Sequence, residues 1–171
     1  MDLETFKSYV LPVKDKLFRF AFRMVQSEEE AQDIVQEAYV RIWNNIEKLR
    51  EAANPEAWCM TVTKNLALDA LRSRKRSEQV ELKPDRLKVE TGTDPGVTLE
   101  ANDTMDAIRS IMNELPEKQK EVLHLRDIEG YSYDEISEIM EITLSQVKVN
   151  LFRARKKVKE KLLILDNYGM G

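Results

Sequence analysis

The chain has 171 residues, 34% of them charged and 42% hydrophobic, with a formal net charge of −4, one cysteine and one histidine. That length suits one domain or two small ones, and only five glycines and five prolines in so charged a sequence favour helices throughout. Lone Cys59 and His124 exclude an intrachain disulfide and a Cys/His zinc site, no cofactor motif is present, and no run nears the ~20 apolar residues of a bilayer span, so a cytosolic protein without membrane insertion is expected.

Residues 3–25 place Phe6, Val10, Leu17, Phe18, Ala21, Phe22 and Val25 at helical spacing, and the interruption at Pro12 predicts two helices. Ser27 with Glu30 three residues on reads as a capping box, opening a helix whose apolar stripe is Ala31, Ile34, Val35, Ala38, Tyr39, Ile42 and Ile46. The opposite side carries Asp33, Gln36, Glu37, Val40, Arg41 and Asn44. Periodicity alone explains that side equally well as a solvated face, with Glu37 and Arg41 paired at i,i+4, or as an interface.

Asn54-Pro55 opens a third helix running to about Arg76, with proline at its first position. Trp58, Val62, Leu66 and Ala70 define its expected buried side, so Trp58 reads as core rather than as a platform for stacking bases. Thr61, Lys64, Asn65, Leu68 and Arg72 fall on another side, where hydroxyl, amide and cation together suit nucleic acid.

From about residue 78 to 102 the pattern breaks into Pro84, Gly92, Pro95, Gly96 and several threonines, as expected of a linker between two helical domains, 1–77 and 103–171. Charge segregates along the chain. Residues 77–106 hold eight acidic side chains against Lys83, Arg86 and Lys88, whereas 72–76 (RSRKR) and the C-terminal helix are basic. With patches separated in this way, the net charge does not argue against a nucleic-acid partner.

In the second domain a helix near 103–114 precedes Leu115-Pro116, which opens another that stops before Gly130. Next come two short amphipathic helices in YDEISEIMEITLSQVKVNLFRARKK. Ile136, Ile139 and Met140 share one face of the first, and Leu144, Val147 and Leu151 one face of the second. Thr143 is placed to cap the second helix, which makes the pair a helix-turn-helix. Ser145, Gln146, Val149, Asn150 and Arg153 then point outward as candidate readers of base edges, with Lys148 beside them, and Arg155, Lys156, Lys157, Lys159 and Lys161 supply charge for phosphates. Glu141 stands in the turn where a left-handed residue is common. In that geometry it would carry roughly 1–2 kcal/mol of strain, unless the turn is longer.

Four ordered blocks resemble a known family. AQDIVQEAYVRIWNNI and NPEAWCMTVTKNLALDALRSRKR resemble region two, and LPEKQKEVLHLRDIEGYSYDEISEIM and VKVNLFRARKKVKEKL resemble region four, of extracytoplasmic-function sigma factors of bacterial RNA polymerase. The resemblance spans nearly the whole chain and implies an all-α fold of two domains on an acidic tether. It implies that Asp33, Gln36, Glu37, Val40 and Arg41 dock on core RNA polymerase. It further implies that residues 50–56 and the third helix, with Asn54, Thr61, Lys64, Asn65, Arg72 and Arg76, engage the promoter's minus-ten element and help melt it. The helix over 144–157 would enter the major groove of the minus-thirty-five element, and an anti-sigma factor is an implied partner. Glu141 in place of the turn glycine, and Val-Lys-Val-Asn at 147–150 in place of a commoner ending in serine and arginine, leave the promoter preference open.

A conventional helix-turn-helix regulator would bind duplex DNA as a dimer without polymerase, but the N-terminal half offers neither a ligand pocket nor a dimer helix. An enzyme is disfavoured by an isolated His124 and by the lack of a glycine-rich phosphate loop or nucleophile elbow.

Overall fold

Proline at position 12 cannot donate a helical hydrogen bond, and the first helix stops just before it. In this computed structural model, which describes residues 2–81 and 100–166, α1 (Asp2–Val10) passes through a 3-10 turn (Leu11–Val13) into α2 (Lys14–Val25), the expected pair of helices. Ser27 caps α3 (Glu28–Asn44), its Oγ accepting from the Glu30 N–H at 3.2 Å. The expected capping box is only half formed, because the Glu30 carboxylate turns away to accept from Arg74 at 2.5 Å. The apolar stripe is also divided. Asn45 leaves the helical region, its amide donating to the Arg41 carbonyl at 2.8 Å, and Ile46 opens the short α4 (Ile46–Glu51).

Asn54 Oδ1 accepts from the Ala57 N–H at 3.0 Å, and with Pro55 at the first helical position this fixes the start of α5 (Pro55–Glu81). The helix packs on α2 and α3 along one side and, along another, on a later helix formed by Tyr133–Met140. Burial therefore exceeds the expected stripe. Ala57, Cys59, Met60, Thr63, Lys64, Leu66 and Ala67 are buried, while Trp58, Val62 and Ala70 are only half-buried at the edge of the core.

Helix runs into both ends of the stretch read as a linker, since α5 continues to Glu81 and α6 (Glu100–Asn113) begins before residue 103; residues 82–99 lie outside the described residues. Pro116 sits at the N-cap of α7 (Glu117–Leu123) rather than inside its first turn. A π-helical turn (His124–Ile128) follows, and Gly130, at φ +82°, reverses the chain. A Cβ at 130 would meet nothing within 4 Å, so the backbone angle alone calls for glycine. The chain then forms α8 (Tyr133–Met140) and α9 (Leu144–Leu165).

Buried side chains from both halves join one contiguous core, from Leu17, Phe20, Ile42 and Met60 to Leu125, Ile136, Ile139 and Leu151. Each such side chain contributes about 1.5–3 kcal/mol through burial. Among the described residues, no helix is long and apolar enough to cross a membrane, and no cluster of three or more His, Cys, Asp or Glu could hold a metal.

Candidate nucleic-acid interface

The helix-turn-helix is built from two complete capping boxes. Ser132 Oγ accepts from the Glu135 N–H at 3.1 Å while Glu135 accepts from the Ser132 N–H at 2.8 Å, and Thr143 and Gln146 repeat the exchange at 3.1 and 2.9 Å. Between them Glu141 adopts φ 58°, ψ 45°, the left-handed geometry anticipated for the turn. Ser137 Oγ donates to the Ile142 carbonyl at 2.5 Å, tying the turn to α8. These local bonds, with fully buried Val147 and Ile139, offset the strain at position 141.

On α9 the buried stripe is Val147, Leu151, Ala154 and the half-buried Val158; Leu144, expected to join it, is 39% exposed at the helix start. Outward from that stripe lie Ser145, Lys148, Val149, Arg153, Lys156 and Lys157, all exposed. Phe152, absent from the sequence-based set, is 68% exposed on the same side as Val149. Its position in the helical repeat, opposite the buried stripe, is the signal that marks it. Two candidates have other engagements. Gln146 Oε1 is held by the cap, and Asn150 Nδ2 donates to the Gln146 carbonyl at 2.8 Å. Arg155 makes a two-pronged pair with Asp127 at 2.6 and 3.0 Å, and Lys161 pairs with Glu114 at 2.9 Å, so neither is a free phosphate ligand in this structure.

The α5 candidates divide differently. Asn65, Arg72 and Arg76 are exposed, Arg72 lying 3.5 Å from Asp69. Thr61 donates to the Ala57 carbonyl at 2.9 Å. Lys64 and Asn54, expected to face solvent or DNA, instead face the other half of the molecule. Lys64 is only 3% exposed and pairs with Glu141 at 3.3 Å, and Asn54 Nδ2 donates to Glu135 at 3.0 Å. The helical repeat placed Lys64 away from Trp58 correctly but could not foresee that α8 covers that side.

Around these contacts lie ionisable groups that sequence reasoning missed. Glu129 accepts from Arg19 Nε and Nη2, each at 2.8 Å, and from the His124 ring at 3.0 Å; burial alone would raise its carboxyl, but those hydrogen bonds outweigh burial and hold it at about 2. Burial depresses the His124 imidazolium, so the neutral ring donates from Nε2 to the carboxylate, leaving Nδ1 unpartnered. Glu121, 2% exposed with an unpartnered Oε2, is pushed up to about 8 by burial and by Glu117, against the pull of Lys64, Lys120 and Lys118. Tyr131 donates to Glu56, and burial with that bond raises its phenol. None of these pairings follows a helical repeat, so no sequence signal pointed to them.

Asp33, Gln36, Glu37, Val40 and Arg41 are all exposed on α3. Asp33, Glu37 and Arg41 line a groove of ≈350 Å³ with Leu66, Asp69 and Ala70 of α5, and the anticipated Glu37–Arg41 pair is present at 3.6 Å.

Residues 10–77 match Sigma-70 region 2, and residues 105–158 match Sigma-70, region 4. The RNA polymerase sigma factor SigZ of Bacillus subtilis (strain 168) is 31% identical over 85% of this chain and 82% of its own, and the ECF RNA polymerase sigma factor SigW of the same organism is 27% identical over 94% and 90%. In fold, the chain resembles the sigma factor RpoE solved with the anti-sigma factor NepR from Bartonella quintana, with a TM-score of 0.77 and 24% identity over 93% of this chain and 97% of that one. With both sigma regions in order along its length and the helix-turn-helix formed within the second, the chain belongs to the extracytoplasmic-function group of the sigma-70 family.

Proposed function

We propose that this chain binds core RNA polymerase, directs it to a two-element promoter and assists opening of the DNA. The observation that carries this reading is the pairing of region 2 and region 4 in one chain with a doubly capped helix-turn-helix in the latter. As a sigma factor it is an initiation factor; polymerase makes the bonds, and no cofactor is required. It works where polymerase works, in the cytoplasm. Three bodies make up the proposed division: residues 1–77, the tether 78–102, and residues 103–171.

The exposed α3 surface of Asp33, Gln36, Glu37, Val40 and Arg41 is our candidate for the polymerase-docking face. Asn54, Thr61, Lys64, Asn65, Arg72 and Arg76 are assigned to the minus-ten element, where cations along one strand and a pocket for an extruded base bind single-stranded DNA better than duplex. Thr143, Ser145, Gln146, Lys148, Val149, Asn150, Arg153, Arg155, Lys156 and Lys157 are assigned to the minus-thirty-five element, with Ser145, Val149 and Arg153 best exposed for reading bases and Lys148, Lys156 and Lys157 for phosphates. Arg155 would first have to leave Asp127. An anti-sigma factor is the proposed regulatory partner.

Gel filtration with core polymerase followed by run-off transcription on genomic fragments tests the reading. Co-elution with new, defined start sites is expected; tight duplex binding without core association would reject it in favour of a self-sufficient regulator. Within that experiment, Asp33→Lys with Glu37→Lys weakens core association while leaving binding of duplex DNA by the free chain unchanged.

A further inference from the structure

Residues 72–76 read as one basic run, yet the helix divides it. Arg72 and Arg76 share the exposed side of α5, whereas Arg74, two positions from each, is turned about 200° away and is half-buried. It reaches the corner where α2 gives way to α3. One nitrogen, Nη2, donates both to the Val25 carbonyl at 3.1 Å and to Glu30 Oε1 at 2.5 Å.

That corner turns within Gln26 and Ser27. Gln26 is left-handed at φ 59°, its side-chain amide donates to the Arg23 carbonyl at 2.5 Å, and Ser27 caps α3. The Val25 carbonyl, one of those a helix leaves open at its C-terminus, is taken by Arg74, whose charge also suits the negative end of the α2 dipole. Across the corner, Glu30 forgoes a local partner to make its contact. It would close a capping box with the Ser27 N–H; the carboxylate instead takes Arg74, 44 residues away. Held there, Glu30 lines the groove between α3 and α5 in company with Asp33 and Glu37, which follow it on the same face of α3.

From this geometry we infer that Arg74 is a positioning residue for polymerase binding. It joins the end of α2 and the first turn of α3 to α5, and so fixes the direction in which α3 presents Asp33 and Glu37. The basic run then has two tasks: Arg72 and Arg76 face outward for DNA, and Arg74 holds the docking helix without touching either partner. The tie of Arg74 to the corner stands on its own distances; its consequence for polymerase rests on the assignment of the α3 face to docking.

The test uses the full chain below the onset of melting, with biolayer interferometry on immobilised core RNA polymerase and fluorescence anisotropy on a fluorescein-labelled oligothymidine strand of about 20 nucleotides. Arg74→Ala should weaken core binding about three- to tenfold and leave strand affinity unchanged, since it alters how α3 is held and removes no outward-facing cation. Arg74→Lys should recover part of that loss, because a single nitrogen makes both bonds. Arg72→Ala should weaken strand binding. Amide hydrogen exchange across residues 24–33 should quicken in Arg74→Ala and not in Arg72→Ala. Because the tie acts through Glu30, Arg74→Ala combined with Glu30→Ala should lose no more core affinity than the larger of the two single changes. Equal losses for core and strand, unchanged exchange at the corner, or full additivity of the two changes overturns the positioning role. If Asp33→Lys with Glu37→Lys weakens core binding and Arg74→Ala does not, the positioning role alone falls; if that pair also leaves core affinity unchanged, the docking assignment of α3 falls and the role of Arg74 with it.

Discussion

Two helices carry most of the side chains assigned to DNA, and their surroundings differ. α9 buries one stripe and leaves the opposite side, from Ser145 to Lys156, open to solvent; α5 is packed on α2 and α3 along one side and on α8 along another, so that a lysine is among its most buried residues. Amphipathic periodicity describes a helix with one neighbour. It serves α9 well and fails for α5, where a second neighbour arrives from more than seventy residues away.

Removing the one stripe that fixes α9 is expected to have the largest effect. Leu151→Ala, at a site 2% exposed, should cost about 2–5 kcal/mol in urea unfolding and abolish duplex binding. If it costs less than a surface change, α9 has supports not apparent in its packing.

Next is the buried carboxyl near α5. Glu121 holds its proton to about 8 in the folded chain but releases it near 4.5 when unfolded, so its contribution is fully present below the unfolded value and is lost as pH rises through this window. Glu121→Gln should remove that loss, making the chain more stable by roughly 1–3 kcal/mol at pH 8 and flattening the melting temperature between pH 5 and 8. The opposite limb belongs to His124 and Glu129. A depressed imidazole and a carboxyl held at about 2 both stabilise above their unfolded values and lose that contribution as pH falls, first through the histidine range and then below 4.5. A melting temperature that still falls toward pH 8 in the Gln variant would place the alkaline limb elsewhere.

On the open side, Arg153→Ala and Lys156→Ala should each lower the salt slope of duplex binding by about one, measured by fluorescence anisotropy, whereas Lys64→Ala should leave it unchanged. An equal effect from Lys64 would mean that α5 is as open as α9. Thr143→Ala removes one capping box and should cost about 1 kcal/mol in thermal unfolding. The smallest change is expected for Arg155→Ala, about 0.2–1 kcal/mol of stability and little salt slope, because its partner is Asp127. A full unit of lost slope would show that the arginine leaves Asp127 to reach phosphate.

What could be read beforehand follows the range of the interaction involved. The Thr143 cap, the left-handed Glu141, the break at Pro12 and the Asn54-Pro55 start depend on neighbours within a few residues, and all are visible in the sequence. The Ser27 box fails at one end because Glu30 prefers Arg74, 44 residues away, and the stripe through Ile46 misses the break at Asn45 because alternating turns of helix conceal a one-residue kink. Lys64 was legible as a polar group on one face of the third helix, and Asn54 as a residue of the loop that opens it, but not as partners of Glu141 and Glu135. Pairings across halves of the chain leave no period to detect.

The π-helical turn at His124–Ile128 has a consequence for how the chain tolerates changes in length. Within a few residues it sends His124 and Leu125 inward, Arg126 to the Tyr131 carbonyl and over the Tyr133 ring at 4.8 Å, Asp127 to Arg155, and, just beyond, Glu129 back toward Arg19. A wider helical turn accommodates one more residue than an α-turn, and deleting a single residue here would rotate every later side chain by about 100° about the helix axis. Five destinations would be missed at once. Here the number of residues, as much as their identity, is part of the design.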